Sequence, residues 1–171
     1  MTALKNTVMA AVAAAGLTGA FTLVDRFEWT GKETRTYVDP VGVATICRGH
    51  TGPLTKKGSA TLAECDDATL KDLLTAQKVV RSCTTVPMTP GEMNAWTSFA
   101  FNVGPGRAGV KDGFCRLKNG RIPTHIAYIE SHQPVKACGM LMSWTMPGTS
   151  VHSGLKKRRE AEMALCLSDL R

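Results

Sequence analysis

The sequence contains no Cys-x-x-Cys pair, no Gly-Lys-Ser/Thr phosphate loop, no zinc-finger spacing and no RNA-binding aromatic motif. The net charge of +7 therefore points to a polyanion without singling out nucleic acid; an anionic membrane or the acidic bacterial wall fits equally. The missing Cys-x-x-Cys argues against a metal knuckle, although six cysteines are present at 47, 65, 83, 115, 138 and 166. An even count at wide spacing suits up to three disulfides in an oxidising compartment, and the sequence does not choose among the pairings. No internal repeat is present, and no low-complexity tract beyond an Ala/Gly-rich stretch near the start. At 171 residues, 43% of them hydrophobic and 20% charged, the chain suits one folded domain with a full core.

Charge is also missing from residues 6–24, NTVMAAVAAAGLTGAFTLV, which follow Lys5 and precede Asp25 and Arg26. The run is long enough to span a bilayer, yet it holds few Leu, Ile or Phe. Three readings compete for it: a cleaved signal, with Thr18-Gly19-Ala20 as a passable cleavage site; a buried core helix; or a signal-anchor held in the membrane and later released. A span so poor in large aliphatics sits close to balance between lipid and water, which makes release physically reasonable.

Further along, residues 25–31 finish the first helix, with Gly31 as its stop signal. Residues 33–52 read as a small β region and residues 53–59 as a loop. Thr61 and Glu64 form a capping box opening a helix to about Ser82, with Leu62, Cys65, Leu70, Leu73, Leu74, Gln77 and Val80 as its apolar stripe. Thr89 and Glu92 form a second box, with Pro90 at the first helical position. The helix to Val103 carries Met93, Trp96, Phe99 and Ala100 as core. Residues 123–133 and 135–146 read as short helices. A last helix from Gly154 to Leu167 buries Leu155, Ala161, Ala164, Leu165 and Leu167 and turns its basic run to solvent or to an anionic polymer.

Residues 28–52 concentrate the polar chemistry. Asp39 precedes Pro40 at a turn, Thr45 lies on an alternating strand, and His50 follows Gly49. A carboxylate at a turn beside a hydroxyl on a strand suits the gripping of a water; an ordinary Asp-Pro turn feeding a hairpin accounts for the same spacing. Gly31, Tyr37, Asp39, Gly42, Thr45, Ile46, Gly49 and His50 stand in step with the Glu-Gly, Tyr-x-Asp, Gly-x-x-Thr-Ile/Val-x-x-Gly-His signature of phage lysozymes, the muralytic endolysins. The final Gly154-Leu155, Arg158-Arg159 and Glu162 also resemble that family's last helix, and Asn102 and Gly104 match its Phe-Asn-x-Gly helix end.

The resemblance implies an α+β, lysozyme-like fold: a small β-hairpin lobe, a mostly helical lobe and a cleft between them. It extends to the signal-arrest-release subset. That divides the chain into a signal-anchor at residues 1–26 and a catalytic domain at residues 27–171. The implied activity is hydrolysis of the β-1,4 bond between N-acetylmuramic acid and N-acetylglucosamine in peptidoglycan, by a monomer without metal or cofactor. Its partners would be the glycan strand and, through residues 6–24, the bacterial inner membrane, in the host periplasm; nucleic acid is not among them. In the family a Glu at the end of the first helix is the general acid, the Asp polarises a water and the Thr orients it. Asp39 and Thr45 match the last two. His50 and Tyr37 take supporting positions, and Asn102 and Gly104 are candidate substrate contacts.

One position departs from the pattern. The acid stands nine residues before the Asp, and here that residue is Thr30, whose hydroxyl is far too weak an acid to replace a carboxyl group. On a continuing helix Glu28 would point about 200° away, while Glu33 would share a face with Thr30. The chain as given is therefore expected to be inactive or impaired: either Thr30 is an engineered substitution that traps an endolysin in an inactive form, or the chain is a natural variant that uses Glu28 or Glu33 or has no activity. A wall-binding lysozyme-fold protein without catalysis is the rival function, and a membrane-disrupting protein acting through residues 6–24 is a weaker third. If position 30 is the acid site, Thr30→Glu raises clearing of purified cell walls. Fractionation of expressing cells should find full-length chain in both membrane and periplasmic fractions; recovery of a shortened soluble form alone would favour a cleaved signal.

Overall fold

The uncharged N-terminal run folds as parts of two helices rather than one. In the computed structural model, which describes residues 2–29, 34–39, 42–146, 149 and 151–170, α1 spans Thr2–Ala14 and α2 spans Thr18–Glu28. Between them Gly16 takes the left-handed conformation (φ 68°) that a side chain disfavours, and Gly16 and Leu17 donate back to Ala13 and Val12. Val12, Leu17, Ala20, Phe21, Leu23 and Val24 are buried, so here the run contributes core. Among the described residues no helix is long and apolar enough to cross a membrane.

α2 stops earlier than Gly31. Its last residue is Glu28, and Trp29 is already extended (φ −106°, ψ 115°). A bulky aromatic without a Gly or Pro signal gives no warning of this stop, and the premise that Glu28 and Thr30 share one helix is thereby corrected. Thr30, Gly31 and Glu33 lie outside the described residues.

The chain divides into two compact units, residues 1–74 and residues 75–171, with the boundary inside α3 (Leu62–Cys83). In the first unit, β1 (Tyr37–Val38) and β2 (Ala44–Thr45) pair antiparallel, Tyr37 opposite Thr45 and Val38 opposite Ala44. Isolated bridges join Arg35 to Ser59 and Ile46 to His50. The expected loop after Gly52 tightens into a 3-10 turn, Pro53–Lys57. The Thr61–Glu64 capping box forms, with Thr61 Oγ1 accepting from Glu64 N–H at 3.2 Å and Glu64 Oε2 accepting from Thr61 N–H at 2.8 Å. Lys57, 2.5 Å from the same carboxyl, is the largest cause of a Glu64 pKa lowered to about 2. Cys47 and Cys65 are disulfide-bonded and pack with Ile46 beneath this cap. Leu62, expected in the stripe, is 56% exposed because it opens the first turn.

The second unit is helical: α4 (Pro90–Val103), α5 (Thr124–Glu130), α6 (Pro134–Gly139) and α7 (His152–Cys166). The Thr89–Glu92 capping box opens α4 as the sequence predicts. Trp96, Phe99, Phe114 and His125 form the centre of the core, with the imidazole stacked on Trp96 at 5.1 Å between ring centres. The expected helix over 135–146 ends at Gly139 and passes into a 3-10 turn over Met140–Trp144. Disulfides join Cys83 to Cys115 and Cys138 to Cys166.

α7 overturns the solvated reading of its basic run. Lys156 and Lys157 face out, but Arg158 and Arg159 are buried around Glu162, while Ala164, expected inside, is exposed. Glu162 Oε1 accepts from Arg158 Nε at 3.1 Å and from Ser98 Oγ at 2.8 Å, and its Oε2 accepts from Arg159. Arg159 also lies over the Phe99 ring at 4.6 Å. A period-based pattern assigns apolar residues to the core and cannot register two buried guanidinium groups that share a carboxylate.

His125 carries a pH signature. Burial pushes its pKa down from 6.5 to about 4, opposed by the bond from Nε2–H to Phe114 O (2.9 Å). The unfolded chain therefore takes up the proton first, and stability present above pH 6.5 is lost as pH falls toward 4. Between pH 7 and 4.5 this contributes roughly 2–3 kcal/mol. Urea unfolding at both pH values should show a wild-type loss larger than that of His125→Leu by about this amount; equal losses would exclude the histidine as the cause.

Candidate functional site

The hairpin holds its polar groups through its own backbone. Asp39 stands opposite Val43, one step beyond the β1–β2 pairs, and Asp39 N–H donates to Val43 O at 2.9 Å. The Asp39 carboxylate then accepts from Val43 N–H at 2.8 Å, and Thr45 Oγ1 donates to Val43 O at 3.1 Å. Both water-handling candidates are thus fixed to one peptide residue. The strand period of two puts Tyr37, Asp39, Val43 and Thr45 on one face, with Asp39 and Thr45 as diagonal neighbours at a spacing of about 7 Å. Gly42, at φ 85°, makes the turn between them. Thr45 is buried and Tyr37 is exposed. Pro40 and Val41 lie outside the described residues.

After Thr45 the chain makes a second reversal over Cys47, Arg48 and Gly49, closed by two hydrogen bonds of 2.9 Å between Ile46 and His50. Cys47 (φ 59°) and Gly49 (φ 84°) are both left-handed. His50 Nδ1–H donates to Asp72 Oδ2 on α3 at 2.8 Å. Any side chain at position 52 would meet the His50 ring at 2.5 Å, which accounts for Gly52. The histidine therefore ties hairpin to helix.

Arg48, at the apex of this reversal, gave no signal in the sequence beyond being a charge inside an apolar motif. It is 6% exposed. Its guanidinium bonds Asp25 on α2 and Asp66 on α3 and lies against Trp29 and Phe21. Glu28 is the last residue of α2, one position before that Trp29. Sequence periodicity set Glu28 aside; the early stop of α2 returns a carboxylate to the end of the helix.

Asn102 and Gly104 belong to the second unit. Asn102 lies in the last turn of α4 with its Oδ1 accepting from Arg159, and Gly104 (φ 73°) caps the same helix, its N–H donating to Ala100 O at 2.8 Å. Among the described residues no group of three or more His, Cys, Asp or Glu is placed to hold a metal ion.

The comparisons agree on one family. The Phage lysozyme family model matches residues 27–162. The chain is 34% identical to the SAR-endolysin of Bacteriophage PS119, over 96% of this chain and 95% of that one. It is 34% identical to the SAR-endolysin of Pseudomonas phage phiKMV over 80% of each. Among solved structures it resembles the active form of the P1 phage endolysin Lyz, with a TM-score of 0.78 at 23% identity over 99% of this chain and 94% of that one. The hairpin with Asp39 and Thr45, the helical second unit and the matched length lead to one conclusion: the chain belongs to the phage lysozyme family, as an endolysin of the signal-arrest-release type.

Proposed function

We propose that the chain hydrolyses the β-1,4 bond between N-acetylmuramic acid and N-acetylglucosamine in host peptidoglycan, with Glu28 as general acid and Asp39 and Thr45 as the water-holding pair. Membership of the family makes it a glycoside hydrolase, a phage endolysin of the muramidase type. The observation that carries the assignment of the acid is the end of α2: the family's acid is the Glu that ends the first helix, and here the residue that ends it is Glu28. Counting nine residues back from Asp39 reaches Thr30 instead; Trp29 and Thr30 stand between Glu28 and Gly31.

In this reading Glu28 protonates the leaving glycosidic oxygen. Asp39 accepts a hydrogen bond from an attacking water, and the Thr45 hydroxyl, across the hairpin face, fixes the water's second direction. Val43 supports both by holding one Asp39 oxygen and the Thr45 hydroxyl through its peptide groups. His50 keeps the hairpin on α3, and Tyr37 lines the same face as Asp39. Asn102 and Gly104 remain candidate contacts to the glycan. The protein acts as a monomer without metal or cofactor. Its N-terminal run first holds it at the inner membrane and then joins the folded chain as α1 and α2 in the periplasm, as the SAR-endolysin relatives suggest.

The test is turbidity clearing of purified cell walls. The unaltered chain should clear them, and Glu28→Gln should lower the rate by about 10²–10⁴-fold, the range for loss of a general acid. Asp39→Asn should fall comparably. If the unaltered chain binds walls but does not clear them, and Thr30→Glu confers clearing, the acid belongs at position 30.

A further inference from the structure

Arg48 has no part in the hydrolytic chemistry, yet it holds groups from two helices beside the hairpin. Its Nε and Nη2 reach Asp25 Oδ1 at 2.7 and 2.6 Å. Its Nη1 reaches Asp66 Oδ1 at 2.9 Å and Thr69 Oγ1 at 3.5 Å. Its guanidinium carbon lies 4.8 Å from the Trp29 ring centre and 5.2 Å from that of Phe21. Phe21, Asp25 and Trp29 are spaced four apart, so they form one stripe along the last two turns of α2 and its cap. The stripe ends one residue past Glu28.

The other side of the contact is fixed. Asp66 and Thr69 stand on α3, and Arg48 sits on a reversal whose two left-handed residues allow little adjustment. Cys47, next to Arg48, is disulfide-bonded to Cys65, next to Asp66. Three residues before Arg48, β2 carries Thr45. The end of α2 is therefore referenced, through one guanidinium, to the hairpin that carries Asp39 and Thr45.

We infer that Arg48 is a positioning residue that sets the Glu28 end of α2 against the Asp39–Thr45 hairpin; this rests on the reading of Glu28 as the acid. The planar fork is what the task needs. Two nitrogens meet Asp25, a third meets Asp66, and both ring neighbours accept a flat cation; a lysine ammonium reaches one carboxylate and leaves the helix end free to shift. The alternative is that Arg48 stabilises the fold and nothing more.

The two accounts separate in kinetics. Asp25 is half-exposed, so Asp25→Asn removes the α2 charge while leaving the Arg48–Asp66 pair intact; Arg48→Lys keeps the charge and loses the fork. Both full-length variants are measured on purified walls at a temperature where circular dichroism shows them folded. The expected result is a kcat lower by about tenfold to a hundredfold with KM within twofold, the pattern for a misplaced acid. The double variant should lose no more than the worse single one. Unchanged kcat in the folded variants, or a loss confined to KM or Tm, overturns the inference. Glu28→Gln, run in parallel, separates the two levels. Activity retained there overturns the acid assignment and the positioning role with it. An inert Glu28→Gln beside unimpaired Asp25→Asn and Arg48→Lys overturns the positioning role alone.

Discussion

A guanidinium buried between two carboxylates is the constraint on which the first unit depends. Taking Arg48 out of water costs several kcal/mol before any partner is counted, and the cost is offset only if its donors meet acceptors in good geometry. Asp25 and Asp66 come from α2 and α3, segments about forty residues apart, so the ion cannot be satisfied until both helices and the reversal between them are in place. Removing one partner of a fully buried pair typically costs about 3–5 kcal/mol; that applies to Asp66, whereas the half-exposed Asp25 is screened by water and contributes less. The interaction therefore contributes less to net stability than to choosing one arrangement: α2 in another register would leave a charge uncompensated. The second unit uses the same device with the signs reversed, Glu162 between Arg158 and Arg159, and the Ser98 hydroxyl completes the set.

What was legible in the sequence follows from the range of each interaction. The capping boxes at Thr61 and Thr89 were visible because the reciprocal bonds span three residues. The core face of α4 was visible because Trp96, Phe99 and Ala100 recur at helical spacing, and the α+β class came from the family resemblance, which the short hairpin beside the helices matches. The burial of Arg158 and Arg159 does not show in the sequence because it is decided by α4 and by the turn ending at Trp144, more than a dozen residues away. The stop of α2 was missed for a related reason. No residue near Glu28 breaks a helix by itself; Trp29 is extended where its ring lies against Arg48, nineteen residues on.

The candidate site divides along the same line. Asp39 and Thr45 were legible because a turn and a strand with a period of two fix their relation locally, and the hairpin hydrogen bonds show that relation. Counting residues to the acid was less secure, since a count crosses from a helix at 1.5 Å per residue into extended chain at about 3.3 Å per residue. α2 ends at Glu28, so a count back from Asp39 to Thr30 crosses such a boundary. Spacing within one element is a physical distance; spacing across a boundary is a distance only when the boundary is known.

The three disulfides join each cysteine to the next one along the chain, 47 to 65, 83 to 115 and 138 to 166. No loop encloses another and none interlocks. A chain entering an oxidising compartment from its N-terminus presents the two sulfurs of each bridge before the first sulfur of the following one. Closing each bridge as soon as its second cysteine emerges yields the native set, with no reshuffling and no dependence on the chain's far end. The connectivity is thus matched to delivery in one direction, and the bridge beside the Arg48 reversal is the one whose two cysteines come first along the chain.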